Sequence, residues 1–299
     1  MDKNDLGRVG VWTFAFDGMP ATLVREAAAE LEELGYGAIW YGEAFGRDSV
    51  GQAWLLLAAT RRIVVASGIA NVSRREPLSL ALAERALGEA FPDRYLLGLG
   101  GHRVSTKPTE FLGYPMPPVG PALRMMRGYL DAMDAVPVQG PVPDPAPRRV
   151  LAALGPRMLE LAAERTWGAH PYFVTTEHTA RAREIMGPEA FLAVEQAVVL
   201  DADLGRAREV ARDHFSGYME FAPHQRANVE RLGFGEDDIA GPSDRLVNAI
   251  VSYGDLDAIQ ARVREHLDAG ADHVCLQVLT ASPEAPPLRE WRELAAAVL

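Results

Sequence analysis

The chain has 299 residues, of which 48% are hydrophobic and 24% are charged. This length and composition indicate one large or two medium globular domains and exclude a disordered or fibrous protein. The formal net charge of −11 disfavours binding to nucleic acid or to an anionic membrane. Cys275 is the one cysteine, which excludes an intrachain disulfide and a cysteine-rich metal site. No signal sequence or membrane-spanning stretch is recognisable, so we expect a cytoplasmic protein.

A repeated unit organises the chain: an amphipathic helix, a glycine and then a short apolar run. The first helix ends at Gly35 and leads into residues 38–41, and a late helix ends at Gly270 before residues 273–278. The pattern predicts strands at 8–14, 38–42, 62–68, 94–99, 148–153, 168–173, 191–199 and 273–278. It predicts helices at 20–34, 49–60, 77–90, 120–134, 157–166, 176–186, 203–221, 243–251, 256–269 and 287–298.

Eight strands that alternate with helices favour a closed (β/α)₈ TIM barrel, formed as one domain over residues 1–299. Runs such as 63–66 are apolar throughout, as in a parallel sheet that is covered on both faces. A doubly wound sheet is the alternative, but no glycine fingerprint opens the first unit. The stretches 102–118 and 222–242 are long, and we expect them to be extended loops at the active-site face, after the fourth and seventh strands.

The motifs of several enzyme classes are absent, including the phosphate-binding loop, the zinc-protease helix and the hydrolase nucleophile elbow. The seven histidines lack the spacing of metal ligands, so no metal is expected. His178 and His266 fall within helices and are expected at the surface. His102 and His170 instead lie at the C-terminal ends of predicted strands, where the catalytic face of a barrel is built.

Small residues dominate the predicted strand ends. Gly68, Gly100 and Gly101 leave room for a flat ring against the backbone, although each glycine could equally serve a tight turn. After the fifth strand, Gly155 precedes a helix that begins with proline, and Arg157 lies in its first turn. The free N–H groups of a helix start form a seat for phosphate, whereas Arg157 alone could be a surface residue. A ring seat beside a phosphate seat indicates a flavin-like cofactor.

Six segments, in order along nearly the whole chain, resemble the bacterial luciferase-like monooxygenase superfamily. These are residues 33–43, 62–71 followed by 75–77, 92–100, 151–156, 167–170 and 270–275. The pattern is most similar to the actinobacterial branch that uses the deazaflavin coenzyme F420.

The resemblance implies a barrel in which the deazaflavin ring lies over a bulge at the end of the third strand, with a non-prolyl cis peptide between Gly68 and Ile69. It also implies a homodimer. Cofactor contacts are implied at Glu43, Gly68, Ile69, Asn71, Gly100 and Gly101, and phosphate contacts at Leu154, Gly155, Arg157 and Met158.

Two departures from the family pattern bear on the chemistry. Ala44 stands where many relatives carry a catalytic histidine, and Arg103 stands near the position of the catalytic glutamate of the sugar-phosphate dehydrogenases. Alanine cannot titrate and arginine stays charged, so that dehydrogenase activity is disfavoured. His102 is the best replacement acid or base, since imidazole titrates near neutral pH.

The resulting hypothesis is an F420-dependent oxidoreductase that transfers a hydride between the deazaflavin and a small organic substrate. The alternatives are an FMN-dependent luciferase-like monooxygenase and, because of Ala44, a non-catalytic flavin-binding barrel. Both cofactors are anionic, and local cations must offset the negative net charge. Arg47, Arg103, Lys107 and Arg157 are the candidates for that role.

Overall fold

The computed structural model describes residues 2–3, 6–101, 121–281 and 286–299, apart from the side chains of residues 220 and 221. Its strands are β1 (Val9–Thr13), β2 (Ala38–Tyr41), β3 (Val64–Ser67), β4 (Ala70–Asn71), β5 (Tyr95–Gly100), β6 (Arg148–Leu151), β7 (Gly168–Ala169), β8 (Phe191–Leu200), β9 (Val251–Gly254) and β10 (His273–Val278).

The helices within the described ranges are α1 (Ala21–Leu34), α2 (Ser49–Ala59), α3 (Pro77–Ala90), α4 (Ala122–Asp134), α5 (Pro156–Arg165), α6 (Thr176–Met186), α7 (Leu204–Phe221), α8 (Pro223–Arg231), α9 (Glu236–Ala240), α10 (Asp244–Ile250), α11 (Leu256–Asp268) and α12 (Leu288–Val298).

Eight of these strands close into a parallel barrel in the order β1, β2, β3, β5, β6, β7, β8 and β10. Closure comes from β10, which pairs in parallel with β1 on one side and with β8 on the other. The short β4 pairs with the end of β5, and β9 pairs with the end of β8. The (β/α)₈ barrel expected from the sequence is therefore confirmed.

Alternate residues of the strands build two cores. Inside the barrel lie Trp12, Trp40, Val64, Leu96, Phe191 and Cys275, among others. The intervening strand residues, such as Ile39 and Val65, pack outward against the helices in a larger core. Both faces of the sheet are thus apolar and buried, which explains the unbroken apolar runs in the sequence.

In the region after β8 one expectation is wrong and one strand was not predicted. Residues 222–242 are not a loop, because α8 and α9 occupy most of that stretch. The helix predicted at 243–251 is present as α10, but the strand β9 that follows it was not predicted. The pairing of Ala197 with Val251 and of Leu200 with Gly254 holds β9 beside β8. The other predicted extension, residues 102–118, lies outside the described residues.

Candidate active site

A cavity of about 680 Å³ opens at the carboxyl ends of the barrel strands. Its wall combines residues that follow β1, β2, β3, β5, β6 and β7 with residues of α4, α7 and α8. Nine of the ten predicted cofactor contacts lie in this wall: Glu43, Gly68, Ile69, Gly100, Gly101, Leu154, Gly155, Arg157 and Met158. This rim is where barrel enzymes place their active sites.

The floor of the cavity is built around the peptide bond between Gly68 and Ile69, which is cis, as the resemblance implied. The Trp12 indole donates a hydrogen bond to the Gly68 carbonyl, with 3.2 Å between Nε1 and the oxygen. A Cβ on Gly68 would lie 2.6 Å from Trp12 Nε1 and 2.9 Å from His170 Nε2. Only glycine fits this floor, because the space for a side chain is filled by two aromatic rings.

The glycines at the end of β5 are also required by close packing. A Cβ on Gly100 would lie 2.7 Å from the Cβ of Ala152 and 2.9 Å from Ile69 Cγ1. Gly101 has a φ of +83°, and a side chain there would overlap the amide of Asn71. Asn71 is the one predicted contact outside the wall. Its Oδ1 accepts hydrogen bonds from the amide and hydroxyl of Ser73, so its side chain supports Gly101 from behind.

Glu43 lies in the wall, but its carboxylate is saturated by protein donors. Arg75 donates to both oxygens. The amides of Asn71 and Ser49 donate at 2.7 Å and 3.3 Å. With its side chain only 2% exposed, Glu43 joins the end of β2 to β4 and to α2. Its carboxylate therefore organises the rim and has no oxygen left without a donor.

The predicted phosphate seat lies at the start of α5. This helix has Gly155 as its N-cap without a capping side chain, and Pro156 as its first residue. Arg157 is exposed in the wall, and no hydrogen bond or ion pair engages its guanidinium within the described part of the chain. Arg231, from α8, brings its Nη2 to 3.9 Å from the position of a Cβ on Gly155. A helix start and two arginines together favour an anionic group here.

Arg231 was not anticipated from the sequence, because residues 222–242 were interpreted as a loop. The sequence did contain one signal for α8. Pro223 stands at the first position of the helix, and the residues after it include the apolar Val229.

His170 also lies in the cavity wall. In the sequence it was distinguished only by its place at the end of a predicted strand. Its ring is buried and stacks on Trp40 with the centroids 4.3 Å apart, and its Nδ1 lies 3.0 Å from the Ala193 carbonyl. Burial lowers the pKa of His170 to about 4, so the ring is neutral at pH 7. With Nδ1 as the donor, Nε2 is an acceptor, and no partner for it occurs among the described residues.

Aromatic rings form the side of the cavity next to β1 and β7. Trp12 contacts Phe14 edge to face at 4.6 Å and Tyr172 at 5.0 Å, and Tyr172 contacts Tyr218 at 5.2 Å. All four line the cavity. Glu195, on β8, is buried behind this wall, and its Oε2 accepts the Phe173 amide at 2.9 Å.

The remaining candidates lie elsewhere. His102, Arg103 and Lys107 are outside the described residues, so the role expected for His102 stays a prediction. Arg47 is absent from the cavity wall and donates to the carbonyls of Phe16 and Met19.

The expectation that His178 and His266 are at the surface is wrong. His178 Nε2 bonds the Leu154 carbonyl at 2.9 Å, and His266 bonds Gln196 and Thr179 at 2.8 Å each. Both side chains belong to buried hydrogen-bond networks, which a helical context in the sequence does not reveal.

The described residues indicate neither a metal site nor a membrane-spanning helix. Across the described ranges, no group of three or more His, Cys, Asp or Glu side chains is arranged to hold a metal ion. The helices in the same ranges are all too short or too polar to cross a bilayer.

Fold and site together define a TIM-barrel protein with a ligand cavity at the carboxyl ends of its strands. The model of the luciferase-like monooxygenase family matches residues 8–273. The chain therefore belongs to the luciferase-like monooxygenase family of oxidoreductases. No curated protein matches its sequence.

Solved structures share this fold over nearly their whole length. An F420-dependent secondary alcohol dehydrogenase, solved with an F420–acetone adduct, has a TM-score of 0.72 at 15% identity, with 98% of each chain covered. The F420-dependent tetrahydromethanopterin reductase of Methanopyrus kandleri has a TM-score of 0.71 at 18% identity, with 97% of this chain and 98% of that one covered.

A flavin enzyme is equally similar in fold. The oxygenating constituent of the 3,6-diketocamphane monooxygenase of Pseudomonas putida, a type II Baeyer–Villiger monooxygenase solved with FMN, has a TM-score of 0.71 at 15% identity, with 98% of this chain and 99% of that one covered. At these identities the likeness concerns the fold.

Proposed function

We propose that this protein is an oxidoreductase that uses coenzyme F420 and transfers a hydride between the deazaflavin and a small organic substrate. The observation that carries the proposal is the cavity floor at Gly68–Ile69, where the peptide bond is cis and two aromatic rings leave no room for a side chain. The resemblance of the sequence to the F420-dependent branch and the fold shared with two F420-dependent enzymes support the choice of cofactor.

The residues present fit such a group. Gly68 and Ile69 would support the ring, and the bare Cα atoms of Gly100 and Gly101 would let it approach the backbone. The start of α5, with Arg157 and Arg231, would hold its phosphate. When bound, the deazaflavin supplies a carbon that gives or takes a hydride, and the protein supplies position and electrostatics.

The negative net charge does not prevent the binding of an anionic cofactor. Screening in physiological salt limits the reach of exposed charges to about 8 Å. Arg157 and Arg231 lie in the wall itself, whereas the carboxylate of Glu43 is neutralised by Arg75. The potential at the phosphate seat is therefore set by the two arginines and the helix start.

The experiment that tests the reaction is a spectrophotometric assay run both with and without oxygen. Reduced F420 is mixed with the protein and a panel of small carbonyl and unsaturated compounds, and the return of the oxidised chromophore is followed. We expect protein-dependent oxidation of reduced F420 with at least one compound, unchanged when oxygen is removed. If turnover requires both oxygen and reduced FMN, the assignment to F420 is wrong.

An FMN-dependent monooxygenase is the second candidate, favoured by the fold shared with the FMN-bound Baeyer–Villiger enzyme. Oxygen-dependent consumption of reduced FMN in the same assay would identify it.

A barrel that binds the cofactor without turnover is the third candidate, because Ala44 stands where many relatives carry a histidine. Cofactor binding without turnover across the whole panel would identify that case.

The homodimer implied by the resemblance stays a prediction, which sedimentation of the purified protein tests.

A further inference from the structure

We propose that two buried side chains, His178 on α6 and Asn228 on α8, are positioning residues that hold the two halves of the phosphate seat at a fixed distance. The halves are the start of α5, which supplies free N–H groups, and Arg231, which supplies a guanidinium. This inference rests on the proposed function and deepens it. It names the groups through which the protein favours a phosphate-bearing cofactor over the same chromophore without phosphate.

Asn228 fixes the direction of the Arg231 guanidinium. Its side chain is 1% exposed, and its Oδ1 accepts a hydrogen bond from Arg231 Nη2 at 3.1 Å. The same Nη2 lies 3.9 Å from the position of a Cβ on Gly155, the N-cap of α5. The amide thus holds the nitrogen that stands beside the helix start. The other N–H donors of the guanidinium have no partner in the described part of the chain and are available to an anion.

The partner of Arg231 is a neutral amide, so the positive charge of the guanidinium is not compensated by this contact. Elsewhere in the structure, Arg75 and Arg149 are each paired with a buried carboxylate. A carboxylate at position 228 would have the same reach, but it would pair with Arg231 and repel an anion. Asparagine at this position therefore orients the arginine and leaves the seat attractive to phosphate.

One face of α6 joins the two halves of the seat. His178 and Arg181 are three residues apart, so they project from the same side of this helix. His178 Nε2 donates to the carbonyl of Leu154, the residue before the N-cap of α5, at 2.9 Å. Arg181 Nη1 donates to the carbonyl of Arg231 at 3.3 Å. A single turn of α6 thus links the start of α5 to the end of α8.

His178 and Asn228 each keep one buried polar atom without a partner among the described residues, namely Nδ1 and Nδ2. Such an atom costs free energy, which an apolar side chain of similar volume would avoid. Packing alone therefore does not explain a histidine and an asparagine at these positions. Their contacts with Leu154 and Arg231 do explain them, because those contacts fix the seat.

The contribution of the phosphate is measured as a ratio, the dissociation constant of the phosphate-free chromophore divided by that of the cofactor. Fluorescence titration gives this ratio for F420 and its deazaflavin chromophore, and in parallel for FMN and riboflavin. The second pair differs by the phosphate alone. Because both members of a pair share the ring, the ratio is insensitive to changes at the cavity floor.

Substitutions of the two positioning residues should lower this ratio and leave the affinity for the phosphate-free chromophore unchanged. We expect a fall of about fivefold in Asn228→Ala and of about tenfold in Asn228→Asp, which also neutralises Arg231. His178→Phe should lower the ratio about fivefold, and His178→Gln should restore it, because its amide retains a donor for the Leu154 carbonyl. Asn248→Ala is the control, because Asn248 bonds Tyr253 away from the cavity wall.

The action of Asn228 through Arg231 is tested by combining variants. In an Arg231→Ala background, Asn228→Ala should cause no further loss, because the amide then has nothing to orient. The inference is overturned if the two losses add, or if the ratio keeps its wild-type value in Asn228→Ala or in His178→Phe. Binding of FMN without binding of F420 would overturn the proposed function alone, since the FMN pair still reports on the seat. A protein that binds neither cofactor would overturn both.

Discussion

Arg75 and Glu43 form a paired contact in which the guanidinium donates to both carboxylate oxygens, with 2.7 Å between Nη1 and Oε2. The side chains are 12% and 2% exposed. Glu43 also accepts the amides of Asn71 and Ser49, so one carboxylate fixes three segments of the rim. A cofactor contact implied by the family is here an organising charge whose partners are all within the protein.

Removal of one member of the Arg75–Glu43 pair should therefore lower the stability of the fold. Arg75→Ala leaves Glu43 buried without its counter-charge, and we expect the free energy of unfolding to fall by about 3–5 kcal/mol. Urea denaturation measures the change. Arg127→Ala is the matched control, because it breaks an equally well-formed pair with Glu164 at the surface. Loss of that surface pair should change the free energy of unfolding very little. Equal effects of the two substitutions would contradict the organising role of Glu43.

Gly68 should tolerate no side chain. The Cβ of Gly68→Ala would collide with Trp12 and His170, so the floor must shift. We expect at least a tenfold loss of cofactor affinity, measured by fluorescence titration. Gly217→Ala provides the comparison, since this glycine of α7 has open space around it. It should bind the cofactor normally and stabilise the fold by about 0.5–1 kcal/mol. Normal binding by Gly68→Ala would show that the ring does not rest there.

The phosphate seat should depend on two arginines. Arg157→Ala and Arg231→Ala should each weaken cofactor binding about tenfold at low salt, and the loss should shrink as salt is added. Isothermal titration at two ionic strengths measures both effects. Arg289→Ala is the control, because this exposed residue of α12 pairs with Glu293 and is not in the cavity wall. A normal affinity in the double variant would place the phosphate elsewhere.

Stability should decrease in mild acid. Four histidines have a pKa lowered by burial to about 4 or below: the buried His170, His266 and His273 and the half-buried His214. The unfolded chain protonates them near pH 6.5. Between about pH 6.5 and pH 4 it therefore binds more protons than the folded chain, and stability falls as the pH falls.

Each of these histidines contributes up to about 1.4 kcal/mol per pH unit in that range. The free energy of unfolding in urea, measured from pH 7 to pH 4.5, reports the slope. His214→Phe should reduce the slope by about one proton, because one of the four groups is removed. A free energy that does not change between pH 7 and pH 5 would show that these rings are not buried as neutral groups.

Local patterns in the sequence were sufficient to predict the barrel and most of the cavity wall. Helices alternate with apolar strands around the barrel, and this alternation places Gly68, Gly100 and Gly155 at one rim. The family pattern added the cis peptide at Gly68–Ile69, which spacing alone does not predict.

The features that were not predicted depend on contacts between distant parts of the chain. Arg231 reaches the wall only because residues 223–231 fold as a helix beside α5, and Glu195 is in an apolar strand whose inward face was not assigned. His266 has polar partners 70 and 87 residues away, so its burial has no local signature. The strand β9 is likewise defined by its pairing with β8.

The most direct test of the central claim is a comparison of the dissociation constants of oxidised F420 and FMN for the ligand-free protein, with the Arg157→Ala, Arg231→Ala double variant as the reference. We expect F420 to bind in the micromolar range or tighter, at least tenfold more tightly than FMN, and the double variant to lose most of this affinity. Micromolar binding of FMN without binding of F420 would contradict it.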